Sequence, residues 1–261
     1  MIFGLGFTGR RVASSLLSRG MRVVAGVRDP ARFGDLISLG LETLPLDLDS
    51  ANTPEFPLNS ALLHSIPPLA QHENTALRIL IERIAPRRVV YISATSVYGD
   101  QIDVSEVTPV SPADPRGVAR VEEEQWITAH SWSTLILRAA AIYGPGRGVH
   151  TSLREGRVPR GAASGIVSRI HVDDLATLAE AGLLSDVTGA WPVADDHPCE
   201  TAEIVEWFEG QFRPSLPPAP RTDFPIHGRR VNGAAIRQKL GIQIQYPSWH
   251  TGLPASIAAE G

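Results

Sequence analysis

Gly4-Leu5-Gly6-Phe7-Thr8-Gly9 stands almost at the first residue. The apolar stub Met1-Ile2-Phe3 precedes it, and Arg10 to Leu17 follows with Val12, Leu16 and Leu17 on one helical face. A strand, a glycine turn and a helix in that order bring bare backbone N–H groups and a helix N-terminus to one point, an anion site suited to a pyrophosphate. The glycine pattern alone is weak, because glycines also end strands for structural reasons. Its surroundings strengthen it. Gly20 stops the helix, Met21 to Val27 reads as a second strand, and Arg28 stands at its end. There, dinucleotide folds read the adenine ribose: a carboxylate accepts from the 2′-hydroxyl of NAD, whereas an arginine neutralises the 2′-phosphate of NADP. Arg28, with Arg10 and Arg32 in reach, favours NADP, and Asp29 directly after it keeps NAD open.

With 261 residues, 43% hydrophobic and 20% charged, the chain can bury a full core as one large domain or as a domain with a smaller companion. A net charge of -4 argues against nucleic-acid binding, which wants a basic surface. No apolar run approaches the ~20 residues of a membrane span and no secretory leader precedes the fold, so the expected location is cytoplasmic. The first strand is short enough that a native start upstream of Met1 is also an expectation. Cys199 is the single cysteine, which leaves no intrachain disulfide and no cysteine cage for a metal, and no metal site is expected. Lys239 is the single lysine, which excludes any mechanism needing one upstream of it.

Taken in order, helix and strand patterns alternate as in a parallel sheet covered on both faces. Pro30 to Leu39 reads as a short helix and Leu41 to Leu48 as a strand leaving through Asp47, either an adenine contact or a turn former. Ser60 to Pro68 is a fourth strand whose end, at Ser65, passes under the cofactor's riboses; His64 within it reads as a core histidine. Asn74 to Ile84 is an amphipathic helix, and Arg88 to Ser93 a central strand running into Ala94-Thr95-Ser96-Val97-Tyr98-Gly99.

These stretches, with Leu137 to Gly146, Ser168 to Leu175, Pro192 to Asp196 and Val231 to Gly241, resemble the extended or atypical short-chain dehydrogenase/reductases, the NAD(P)-dependent epimerase/dehydratase group, over nearly the whole chain. The resemblance implies a doubly wound Rossmann α/β fold with a small C-terminal substrate cap. It divides the chain into a core at 1–146, a flap at 147–168, a return to the core at 169–196 and a cap at 197–261. It also implies hydride transfer between nicotinamide and an alcohol or ketone. In that family a tyrosine handles the hydroxyl proton, a lysine four residues on lowers its pKa, and a serine or threonine holds the substrate oxygen.

Here the pattern breaks. After the turn Pro112-Ala113-Asp114-Pro115, Arg116 falls where the tyrosine belongs and Arg120 where the lysine belongs, with Glu124 at the helix's usual glutamate. A guanidinium accepts nothing and stays charged, so Arg116 is no base, although it can hold a substrate carboxylate or phosphate. Arg120 can reach a ribose or phosphate, or both arginines are simply exposed. The serine slot is Ala94, leaving Ser93, Thr95 and Ser96 as neighbours to take over. Tyr98 and Tyr143 read as packed rather than catalytic. Arg154, Arg157, Arg160 and Arg169 form either an anion-binding flap or a solvated loop. In His171-Val172-Asp173-Asp174 one aspartate should cap the next helix, with His171 buried and hydrogen-bonded. Thr201 to Phe212 is a further amphipathic helix.

Two functions remain open. One is an oxidoreductase or epimerase-type enzyme with an atypical site, acting on a small or nucleotide-linked hydroxyl or carbonyl compound, whether neutral or anionic. The other is a catalytically lapsed NAD(P)-binding regulator or scaffold.

Overall fold

The computed structural model describes residues 1–48, 54–68, 75–158, 165–212 and 228–261. In chain order the elements are β1 (Ile2–Phe3), α1 (Phe7–Ser18), β2 (Val24–Val27), α2 (Gly34–Ser38), β3 (Glu42–Pro45), β4 (Ala61–His64), α3 (Thr75–Ile84), β5 (Arg88–Ala94) and β6 (Asp103–Val104). There follow α4 (Pro115–Thr128), β7 (Ser133–Ala139), β8 (Ala141–Tyr143), α5 (Val149–Arg154), β9 (Ile166–Val167), β10 (Arg169–His171) and α6 (Val172–Leu183). The chain closes with β11 (Gly189–Val193), β12 (Cys199–Glu200), α7 (Thr201–Phe212), β13 (Arg230–Val231), α8 (Ala234–Leu240) and α9 (Trp249–Ala258).

Seven strands form one parallel sheet in the order β11-β7-β5-β4-β1-β2-β3. Parallel strands are buried on both faces, which is why β5 and β7 read as continuous apolar runs rather than alternating ones. On one face Val12 and Leu16 of α1, Leu175 and Leu178 of α6 and Ile236 of α8 meet Val90, Leu135 and Leu137. On the other, Leu77, Leu80 and Ile81 of α3 and Ile127 of α4 meet Phe3, Val89, Tyr91 and Ile136. This is the doubly wound architecture. Its outer strands, β3 and β11, contain Pro45 and Pro192.

Several elements are shorter than expected. The strand read over 41–48 spans Glu42–Pro45, and the helix read over 30–39 is a 3₁₀ turn, Pro30–Phe33, followed by α2. Sequence reading did not anticipate α9. Trp249 and Leu253 of α9 pack with Ile204 of α7 and Tyr143 of β8, so these two helices close over the C-terminal edge of the sheet. Three two-stranded ribbons, β8–β10, β9–β12 and β6–β13, tie that covering layer to the core.

Candidate functional site

The strand order reverses between β1 and β4, and in open parallel sheets the crevice at such a point is where ligands bind. Gly4 turns there with φ +91°, and a Cβ on it would lie 2.7 Å from Ser65 Oγ. A Cβ on Gly9 would collide with the Gly4 carbonyl oxygen. Ser65 braces the turn by donating to that oxygen at 2.6 Å. Beside Gly6 there is open space, and α1 begins with neither a side-chain cap nor an acidic residue in its first turn. Its leading N–H groups are therefore left for an anion.

Next to the turn lies a cavity of about 300 Å³ lined by Gly4, Arg28, Asp29, Arg32, Leu46 and Ile66, among others. Asp29 spends its carboxylate accepting from Ala31 N at 3.1 Å, capping the 3₁₀ turn. Arg10 is committed to Asp35 at 2.6 Å. Arg28 is exposed and has no ion-pair partner among the described residues. Asp47 is exposed between Leu46 and Leu48, which line the cavity. The apolar walls, the free cation and the uncapped helix fit an adenine dinucleotide.

At the end of β5 the chain tightens into a 3₁₀ turn, Thr95–Tyr98, anchored by the buried Val97 and Tyr98. Arg229, which sequence reading missed, pins this turn from the far end of the chain, donating to the Thr95 carbonyl and to the Gly99 carbonyl at 2.6 Å. The Ser96 hydroxyl is buried and has no hydrogen-bond partner among the described residues. Asp114 caps α4 by accepting from Gly117 N at 2.7 Å, and Gly117 packs against the Ser96 carbonyl oxygen, where a Cβ would come to 2.7 Å. Arg116, one residue earlier, is exposed and has no partner among the described residues. The start of α4 thus packs on the turn that carries Thr95 and Ser96, with Arg116 one residue from the contact.

Arg120 is half-buried and faces Tyr91; burial pushes that phenol well above its ordinary pKa, and the guanidinium opposes the shift. Ser93 points beneath the sheet, donating to Glu124 at 2.6 Å, and Glu124 also pairs with Arg138 at 2.8 Å. Glu123 is shared by Arg78 at 2.8 Å and His64 at 3.2 Å. Burial of Glu123 works against ionisation, yet His64 and Arg78 hold its carboxyl below the usual range. His64 is fully buried and stacked on Tyr91, a core histidine as read. Tyr98 accepts from Arg138 at 3.1 Å, and Tyr143 donates to the Ser248 carbonyl at 3.4 Å. Burial pushes both phenols up, so neither titrates near neutrality.

The flap arginines are otherwise engaged. Arg154 pairs with Glu260, Arg157 with Glu155, and Arg169 is buried against Val167 O and Cys199 Sγ, while Arg160 lies outside the described residues. The cap of α6 is His171 itself, not an aspartate: its Nδ1 accepts from Asp173 N at 3.2 Å, leaving the aspartates inside the first turn. Burial drives this imidazole down to about 4. A second cavity, about 430 Å³, lies beside β6 and β13 and is lined by Asp103, Ser105, Asp195, Arg230 and Asn232, among others. Asp195 Oδ2 has no hydrogen-bond partner among the described residues, and burial raises that carboxyl to about 7. No cluster of metal-ligating side chains occurs among the described residues, and no helix there is long and apolar enough to cross a membrane.

Comparison with known proteins agrees with this geometry. A profile of the NAD dependent epimerase/dehydratase family matches residues 71–186. The chain is 30% identical to a Streptomyces protein named 3-diazoavenalumate denitrifying reductase, over 95% of this chain and 96% of that one. It superimposes with a TM-score of 0.82 on a functionally unknown conserved protein of Silicibacter pomeroyi, 31% identical, covering 99% of this chain and 97% of the other. MoeE5, solved with UDP-glucose and NAD, shares the fold at 21% identity and a TM-score of 0.77, over 98% and 96% of the two chains. With its switch-point crevice, its doubly wound sheet and these full-length relatives, the chain belongs to the NAD-dependent epimerase/dehydratase family of short-chain dehydrogenase/reductases.

Proposed function

We propose that the protein is an NADP(H)-preferring reductase whose substrate is oriented by Ser96 and Arg116 and whose chemistry does without a tyrosine–lysine relay. The observation that carries this reading is the buried Ser96 hydroxyl after β5, which has no partner among the described residues, on a turn packed against the start of α4, where Arg116 is exposed. Leaving a buried hydroxyl unsatisfied costs about 1–3 kcal/mol, a cost that a bound acceptor atom would remove. Arg116 supplies a bidentate donor for a carboxylate or phosphate on the substrate. Arg229 and the α4 cap fix the backbone from which both residues project. A bound nicotinamide supplies hydride at its C4.

The missing relay narrows the acceptor. A ketone reduced here takes its proton from solvent, to which Arg116 is exposed. The relative named for a denitrifying reduction suggests another class: where dinitrogen leaves as hydride arrives, no alkoxide forms and no phenol is needed to protonate one. Small anionic carbonyl and aryl diazo compounds are therefore the substrates to screen, alongside sugar nucleotides.

The test follows deuterium from C4-deuterated NADPH into product across such a panel. Ser96→Ala and Arg116→Ala are each expected to lower kcat/KM about 10- to 100-fold while leaving NADPH affinity in place. The loss of the tyrosine–lysine pair favours one rival, a lapsed enzyme that binds cofactor without turning it over. Tight NADPH binding with no turnover on any panel member would establish that rival instead.

A further inference from the structure

A second glycine-rich turn is seated on the first. Gly144 and Arg147 close it with reciprocal backbone hydrogen bonds of 2.9 and 3.0 Å. A Cβ on Gly144 would stand 3.2 Å from the Phe7 ring and 2.5 Å from Val172, so this turn rests directly on the first residue of α1. Its outer side is fastened by Glu260, which accepts from Gly146 N at 2.7 Å and also engages His150 at 2.8 Å and Arg154. From this braced platform the Arg147 guanidinium reaches over the Phe7 ring, 5.2 Å from its centroid.

Two arginines flank that ring, and they differ in one respect. Arg11, at 4.5 Å, is neutralised by Asp173 at 2.5 Å and donates to the Phe7 carbonyl at 2.8 Å. Arg147 is exposed, and its guanidinium has neither a carboxylate nor a hydrogen-bond partner among the described residues. A cation held in place yet left unpaired, at the edge of a helix N-terminus that no side chain caps, complements a diphosphate in both charge and geometry. We propose that Arg147 is a diphosphate-binding residue of the dinucleotide site, delivered from the second turn that packs on Phe7. The proposal rests on the dinucleotide reading above and adds to it a residue outside the glycine pattern. It divides the cofactor's anionic groups between two arginines, Arg28 for a 2′-phosphate and Arg147 for the bridging diphosphate.

Competition titrations on the full chain, with NADPH fluorescence as the signal, separate the two duties. Arg147→Ala is expected to weaken NADPH and ADP-ribose on the order of 10- to 100-fold, leave 2′-AMP unchanged and lower the salt dependence of ADP-ribose binding. Arg147→Lys should recover part of the loss. Arg28→Ala should show the converse pattern, weakening NADPH and 2′-AMP but not ADP-ribose. Unchanged ADP-ribose affinity in Arg147→Ala, with the wild type binding normally, overturns this proposal and leaves the dinucleotide reading standing. Failure of the wild type to bind any of the three ligands overturns both. Arg147 is exposed, so unaltered thermal unfolding in the variant confirms that the fold is intact.

Discussion

Arg28 and Asp29 stand side by side at the end of β2, and their partners decide between them. Asp29 is occupied as a cap, and Arg28 has no ion-pair partner among the described residues. Arg28→Ala is accordingly expected to weaken NADPH on the order of 10-fold, a charge-assisted contact's worth, and to leave NADH nearly unaffected. Equal affinities for the two cofactors in the wild type, unaltered by the substitution, would contradict it. At this scale the sequence was most legible where the backbone itself is the device. Gly4 and Gly9 were readable because their missing side chains make the turn possible. Ser93 illustrates the opposite: its position in the chain marks it as a cofactor neighbour, but its hydroxyl is directed by Glu124, fixed a helix away. Arg147 and Arg229 escaped reading because an arginine in a loop carries no local signal of what it faces.

Along α4, two consecutive glutamates turn under the sheet instead of toward water. Burying carboxylates is tolerable only when every partner is present, and here Arg138 and Ser93 meet Glu124 while Arg78 and His64 meet Glu123. Glu124→Ala would leave the mostly buried Arg138 unpaired and is expected to destabilise the fold by about 3 kcal/mol, read as a lowered denaturant midpoint at unchanged m. Glu124→Gln, keeping two hydrogen-bonding atoms, should cost less. Helices with one apolar face, α1, α3 and α7, were legible from spacing alone. For α9 the case is different: Gly252 and Pro254 within it are ordinary helix breakers, and its packing on α7 and β8, with Ser256 hydrogen-bonded to His171, holds it in place. The short ribbons β6–β13 and β9–β12 join residues far apart in the chain, a pairing that periodicity does not encode.

For the molecule as a whole, two buried groups set opposing responses to pH. His171, depressed from 6.5 to about 4, stays neutral in the fold while the unfolded chain takes up a proton, so stability is lost as pH falls from about 6.5 to 4. Asp195, raised from 3.8 to about 7, keeps its proton in the fold, so its contribution is lost as pH rises from about 4 to 7. Each slope is roughly 1.4 kcal/mol per pH unit, and they largely cancel across the shared interval. Asp195→Asn removes one of them. Urea midpoints of that variant should climb more steeply with pH between about 4 and 6.5 than the wild type's, and parallel profiles would refute the assignment. The architecture itself was legible at this scale, because alternating helix and strand patterns admit few parallel arrangements.

The prolines on β3 and β11 have a consequence for how copies of this chain meet. A residue without an amide hydrogen interrupts the row of donors that a neighbouring ribbon would need, and here both margins of the sheet contain one. Edge-to-edge pairing between the sheets of two copies, the first step towards a fibre, is thereby disfavoured at both margins.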